Sequence, residues 1–334
     1  MNVARLFHTA SILGNRKVLV TGGSNGGNLN SSELYDPKTS NWITTGSMNV
    51  ARYYHTASIL ENGQILVTGG YGDSSILNST ELYDLTTSSW TTTRSMNVAR
   101  VYHTASILGN ENVLVTGGYN GSTYLNSAEI YDPTTGSWTI TGNMNNARQY
   151  HTASILGNGK VLVTGGFNDD SVLISSELYD SATGNWITTG SMNVARYYHT
   201  ASILENGQIL VTGGYGDSSI LNSTELYDPT TSNWTTAGSM NIARVYHTAT
   251  VLENGKVLVT GGYSISNNFN SAELYDSATG NWITTGSMSV ARYYHTASIL
   301  GNGKVLVTGG NNGFHMIAPG LVDGSFTLNS TELY

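Results

Sequence analysis

Cysteine is absent from the 334-residue chain, which excludes disulfide staples, thiolate nucleophiles and any metal site that needs a thiolate. Charge is scarce: Asp, Glu, Lys and Arg make up 11% of residues, with a balance of −8. No basic stripe exists, so the electrostatic footprint of nucleic-acid binding is missing and no nucleic-acid partner is expected. Proline occurs four times, three of them (Pro37, Pro133, Pro229) at one recurring position. No apolar stretch approaches the length of a membrane span. The start, Met1-Asn2-Val3-Ala4-Arg5, has no apolar signal core. The glycine pairs come without a Gly-x-Gly-x-x-Gly or Walker pattern, and no cofactor is implied.

What the chain does have is repetition. Met192–Asp228 repeats Met48–Asp84 without a change, and related copies begin at Met1, Met48, Met96, Met144, Met192, Met240 and Met288. A period of this length is one supersecondary unit that cannot bury its apolar faces alone. A single domain over 1–334 is therefore expected, with units at 1–47, 48–95, 96–143, 144–191, 192–239, 240–287 and 288–334. Each unit carries one register Arg and one register Glu, and six carry a register Asp. Most of the acidity thus belongs to the scaffold. The Met1–Arg5 start matches the interior starts at Met48 and Met96, which leaves open that the chain is a piece of a longer one.

The fifth copy shows the local logic. Tyr198–Leu204 is a short apolar-to-small run that stops at Glu205-Asn206-Gly207, and Asn-Gly is a strong hairpin signal. Gln208–Thr212 is rich in β-branched residues and ends at Gly213-Gly214. After a variable loop, Glu225–Asp228 reads as a third strand closed by Pro229–Ser232, and Trp234–Thr236 as a fourth. No segment has a 3.6-residue apolar period, so no helix is expected. Four antiparallel strands in each of seven units predict an all-β, seven-bladed propeller. Small residues (Thr, Ala, Ser) in the first strand suit the crowded axis, and Trp in the fourth suits the rim. A solenoid would need polar end caps, and none is visible.

At this point the residues resemble the kelch repeat: Arg196-x-x-His199, the pair Gly213-Gly214, Tyr227-Asp228 and Trp234. The resemblance covers the whole chain and implies the central fold of galactose-oxidase-type proteins. The seventh copy departs from the pattern, ending at Glu332-Leu333-Tyr334 with no seventh Trp after Trp42, Trp90, Trp138, Trp186, Trp234 and Trp282. Many kelch propellers close by borrowing a strand from the opposite terminus, but nothing before the first strand offers one. A three-stranded seventh blade with an open edge is expected.

The register histidines (His8, His55, His103, His151, His199, His247, His295) read as hydrogen bonds between blades rather than a metal ring, because radial sheets spread equivalent residues apart. No metal site is expected. The register arginines read as pins between blades, meeting the register glutamates or loop carbonyls. The aromatics are the candidate binding residues. One set precedes each histidine: Phe7, Tyr54, Tyr102, Tyr150, Tyr198, Tyr246 and Tyr294. A second follows the glycine pair: Tyr71, Tyr119, Phe167, Tyr215 and Tyr263. Loops four-to-one and two-to-three share one face, so both sets should cluster there, where the copies also differ most. The last loop adds Phe314 and His315. Tyr suits binding surfaces because it pairs contact area with a polar tip.

Enzymes need an asymmetric constellation, and near-identical blades supply little. The copper enzymes that resemble this fold use a Cys–Tyr crosslink, which a chain without Cys cannot make. The expectation is a non-catalytic interaction module for a protein or peptide. The alternatives are a glycan-binding propeller and a galactose-oxidase-like remnant.

Overall fold

The computed structural model describes residues 1–265, 267–313, 316–318, 321–322 and 326–334. Blade 1 runs Thr9–Ile12, Val18–Thr21, Ser32–Asp36 and Asn41–Thr45, antiparallel and in chain order from axis to rim. Five further four-stranded blades repeat it, and the seventh has three strands: Thr296–Ile299, Val305–Thr308 and Thr331–Leu333. No helix occurs among the described residues beyond an isolated turn at Phe326. The innermost strands contact one another in a closed circuit, blade 7 against blade 1 included.

Burial follows the radial position. The second strands (Val18–Thr21 and its equivalents) are buried at every residue, whereas the rim strands are largely exposed. The core therefore lies between blades. One such cluster joins Leu156 and Leu162 of blade 4 to Met192, Ile209, Val211, Tyr227 and Trp234 of blade 5. Within each complete blade the third-strand Tyr sits opposite the fourth-strand Trp, as in Tyr83↔Trp90, ring centroids 5.2 Å apart. Trp90 then donates from Nε1 to the Gly46 carbonyl of the preceding blade, 3.0 Å. The run Tyr198–Leu204 shortens to a strand of Thr200–Ile203. Tyr198 has φ +54°, which turns the chain before the strand begins.

The register Arg joins neighbouring blades by using its two halves differently. The Arg52 main chain belongs to blade 1: its N–H donates to Leu29 O (3.1 Å) and its carbonyl accepts from Gly23 N–H (2.8 Å). Its side chain belongs to blade 2, donating to Gly69 O, Ser79 O, Ser79 Oγ and Glu81 Oε1. Glu81 in turn accepts from the N–H groups of Asn49 and Val50, so Met48–Arg52 curls around the carboxylate. The glycine pair is required where this joint is tightest. Gly22 has φ +64°, and a Cβ there would lie 2.6 Å from Arg52 O.

Blade 7 joins blade 1 in the same way. Arg5 N–H donates to Leu328 O (3.2 Å), Gly310 N–H donates to Arg5 O (3.0 Å), and the Arg5 side chain reaches Gly22, Ser31 and Glu33. The ring thus closes through side chains and loops, without an exchanged strand. The edge beside Thr331–Leu333 is open: Leu333 is 44% exposed, and Glu332 is 17% exposed where its counterparts are at most 1%.

Two outcomes follow from these joints. Glu177→Gln, which leaves Arg148 buried beside a neutral amide, should cost roughly 3–5 kcal/mol in denaturant unfolding. Glu332→Gln should cost clearly less because water reaches that joint; equal losses would refute the role given to desolvation. Appending a copy of residues 276–287 after Tyr334 supplies a turn and a Trp-bearing rim strand. It should raise Tm, and an unchanged Tm would show that the open edge is not a weak point.

Candidate functional site

The chain direction assigns the faces. Inner strands run from the His end to the Ile end, so the four-to-one links and two-to-three loops gather at one mouth of the channel. The other mouth is lined by the Ala, Ser and Ile of the inner strands, such as Ala57, Ser58 and Ile59.

At the loop-bearing mouth, Phe7, Tyr54, Tyr102, Tyr150, Tyr198, Tyr246 and Tyr294 form a closed circuit of rings. Successive centroids lie 4.0, 4.7, 4.2, 4.0, 4.6 and 4.1 Å apart, with 4.3 Å from Tyr294 back to Phe7. All seven have φ between 53° and 59°. This left-handed conformation costs a bulky residue of order 1–3 kcal/mol and persists only where the surroundings over-determine it. Here neighbouring rings supply that constraint, together with links such as Tyr54 N–H to Phe7 O at 3.1 Å. Burial raises the Tyr54, Tyr198 and Tyr294 phenols well above their ordinary range, with neighbouring tyrosines adding to the effect. Their hydroxyl oxygens are buried and face neighbouring tyrosines of the circuit. Six of these tyrosines and the histidines that follow them line an axial cavity of about 320 Å³.

Around this circuit lies a second tier. Tyr71, Tyr119, Phe167, Tyr215 and Tyr263 are half-buried, each bridged through its backbone to the residue just before a circuit aromatic: Tyr53, Val101, Gln149, Tyr197 and Val245. Tyr53 stacks on Tyr71 (5.2 Å), and Tyr197 packs on Tyr215 (5.6 Å) and Phe167 (5.5 Å). Tyr263 meets Tyr293 at 5.7 Å, and Tyr124 lies between Tyr119 and Phe167. Sequence reasoning passed over Tyr53, Tyr197, Tyr293 and Tyr124. The signal available was that the position before the circuit aromatic varies between copies, from Leu6 to Tyr53, Val101 and Gln149. Phe314 and His315 lie outside the described residues.

The register histidines sit below the circuit and link blades. His55 Nε2 shares a hydrogen bond with Thr9 Oγ1 of the preceding blade (3.0 Å), and His103 with Thr56 (3.1 Å). The same bond closes the ring between His8 and Thr296, 3.1 Å. Burial first, then the adjacent Arg charge, lowers His8, His103 and His247 to about 3. Among the described residues no three of His, Asp and Glu converge on a metal-sized point.

A family model described as the KLHDC2/KLHL20/DRC7 Kelch-repeats domain matches residues 7–192 and 150–318. The chain belongs to the kelch-repeat family. No curated protein matches it. Among solved structures, a fungal alcohol oxidase of the AA5 family, in complex with copper, is similar in fold. Its TM-score is 0.75 at 20% identity, over 92% of this chain and 70% of that one. A copper ion needs several donor atoms converging on one point, and the register histidines of this kelch propeller, spread around the axis, do not supply that convergence among the described residues.

The buried histidines dictate the acid response. Their folded values lie below the unfolded value near 6.5, so the unfolded state takes up protons first as pH falls. The stability they contribute is present above pH 6.5 and is lost between there and about pH 3. Each such histidine costs about 1.4 kcal/mol per pH unit below its unfolded pKa. Tm should therefore drop steeply between pH 7 and 5.5; a flat thermal-unfolding profile across that window would contradict neutral, buried imidazoles.

Proposed function

We propose that this propeller is a non-catalytic interaction module that engages a protein or peptide through its aromatic, loop-bearing face. One observation carries the reading: the two aromatic tiers meet on the face where the repeats differ most. Scaffold positions hold the same residues blade after blade, while the residues beside the circuit and in the two-to-three loops differ. Kelch domains commonly bind proteins, and large rings with polar tips suit recognition. The absence of cysteine, and of three converging His, Asp or Glu among the described residues, weighs against copper-oxidase chemistry.

The second-tier rings test the proposal, because they are less enclosed than the circuit. Proteins captured from an extract by the unmodified chain should be lost when Tyr71, Tyr215 and Tyr263 are replaced together by Ala, with Tm nearly unchanged. Capture that survives the triple variant would place the site elsewhere. Glycan-array binding with no protein capture would shift the ligand class. Stoichiometric copper uptake with oxidase turnover would overturn the non-catalytic reading.

A further inference from the structure

Exposed positive charge is concentrated on one face, while acids occur on both. The chain has 14 Lys and Arg, and the seven register arginines are buried in the blade joints. Of the rest, Arg16, Lys17, Lys38, Lys160, Lys256 and Lys304 lie on the one-to-two and three-to-four hairpins, at the face opposite the aromatics. The last, the exposed Arg94, follows the rim strand Ser89–Thr93 and so stands at the rim of the aromatic face. The two-to-three loops around the aromatic mouth contain no Lys or Arg, but they do contain Asp73, Asp169, Asp170 and Asp217. All four are exposed. Asp73 accepts a bond from Asn28 Nδ2 at 3.1 Å. The carboxylates of Asp169, Asp170 and Asp217 have no partner among the described residues.

The acids stand beside the rings. Asp73 and Asp217 each follow a second-tier tyrosine by two positions, Tyr71 and Tyr215. Asp169 is close enough to Tyr124 to raise that phenol, after burial has done so. A second observation points to a ligand that donates hydrogen bonds. The side-chain oxygen of Gln149, 7% exposed, is buried without a partner among the described residues. Gln149 is bridged to Phe167 in the second tier, directly before Tyr150.

Resting on the reading of this face as a protein-binding surface, we propose that its partner is a cationic segment, a peptide bearing Arg or Lys. Its side chains lie over the tyrosine rings and its charges pair with the four loop carboxylates. Three physical terms favour that occupant over an acidic or neutral one. Aromatic faces attract guanidinium and ammonium groups. The flanking carboxylates add Coulomb attraction, with no Lys or Arg in the two-to-three loops and only Arg94 at the rim of that face. The unpartnered Gln149 oxygen can accept a hydrogen bond from a donor-only side chain. An acidic peptide would meet mainly like charge here.

The test is fluorescence polarisation with a short labelled peptide alternating Arg and Lys with Gly and Ser, against Glu-substituted and uncharged versions of the same length. The basic peptide should bind best, and more weakly as salt rises from about 50 to about 300 mM. Replacing Asp73, Asp169, Asp170 and Asp217 together by Asn should weaken it about tenfold, the sum of four modest exposed pairs. The control removes the same charge from the opposite face: Glu61→Gln, Glu111→Gln, Glu205→Gln and Glu253→Gln, all exposed, should change affinity little. Equal losses in the two quadruple variants would mean diffuse attraction to an acidic protein and would overturn the proposal, as would tighter binding of the acidic peptide. If the uncharged peptide or extract proteins bind in a Tyr71- and Tyr215-dependent way that ignores the aspartates, the interaction module stands and only the cationic partner falls.

Discussion

The buried Arg–Glu joint is the contact on which the rest of the molecule depends. A guanidinium with no exposure beside a carboxylate with almost none is costly to desolvate, and the cost is offset only when the remaining donors and acceptors are satisfied. Each joint meets most of that demand. The two terminal nitrogens of Arg148 reach Gly165 O, Ser175 O, Ser175 Oγ and Glu177. Glu177 also holds the main-chain N–H groups of Asn145 and Asn146. Because the Arg backbone is bonded to the previous blade, no blade can swing away without leaving these groups unpaired. The same geometry at Arg5 explains how seven sheets form a ring with a three-stranded member and no exchanged strand.

That joint also explains why the repeats are so alike. Met, Asn, Arg, His, the glycine pair and Glu all touch one another across two blades. The methyl end of Met48 lies where a Cβ on Gly22 would collide with it, and His55 approaches the same glycine. A change at any of these positions disturbs two blades at once, so the copies stay nearly identical there. The tips of the loops beyond Gly23 and its equivalents, before Leu29-Asn30-Ser31 and its counterparts, do not enter the joint, and the copies differ most there.

Much of this was legible in the residues, and the remainder was hidden for physical reasons. Asn-Gly and Gly-Gly are local signals with one structural meaning, so blade and strand boundaries could be read from them. The missing Trp announced the three-stranded blade. Matching counts of Arg and Glu suggested pairing, yet only the fold shows that one Arg serves two blades. The left-handed backbone at Tyr54 and its equivalents could not be read, because a tyrosine does not advertise positive φ as glycine does; the conformation is imposed by the ring of neighbours. Tyr53 and Tyr197 were missed because their role depends on the backbone bridges to Tyr71 and Tyr215, contacts made across a loop.

The strained aromatic circuit is where scaffold and surface meet. Its residues directly precede the histidines that bond blade to blade, so the rings are held by the same apparatus that closes the propeller. The second tier rests on them, as Tyr71 does on Tyr102 at 5.8 Å. A ligand on the outer rings would therefore press on a floor already fixed by seven joints, and would pay little ordering entropy on the protein side. Blades 2 and 5, identical over Met48–Asp84 and Met192–Asp228, present the same Tyr–Tyr–Asp arrangement at two places on that floor. A rigid floor with two equivalent footholds favours an extended partner with two contacts over a compact one with a single contact, since the second contact then forms at high effective concentration.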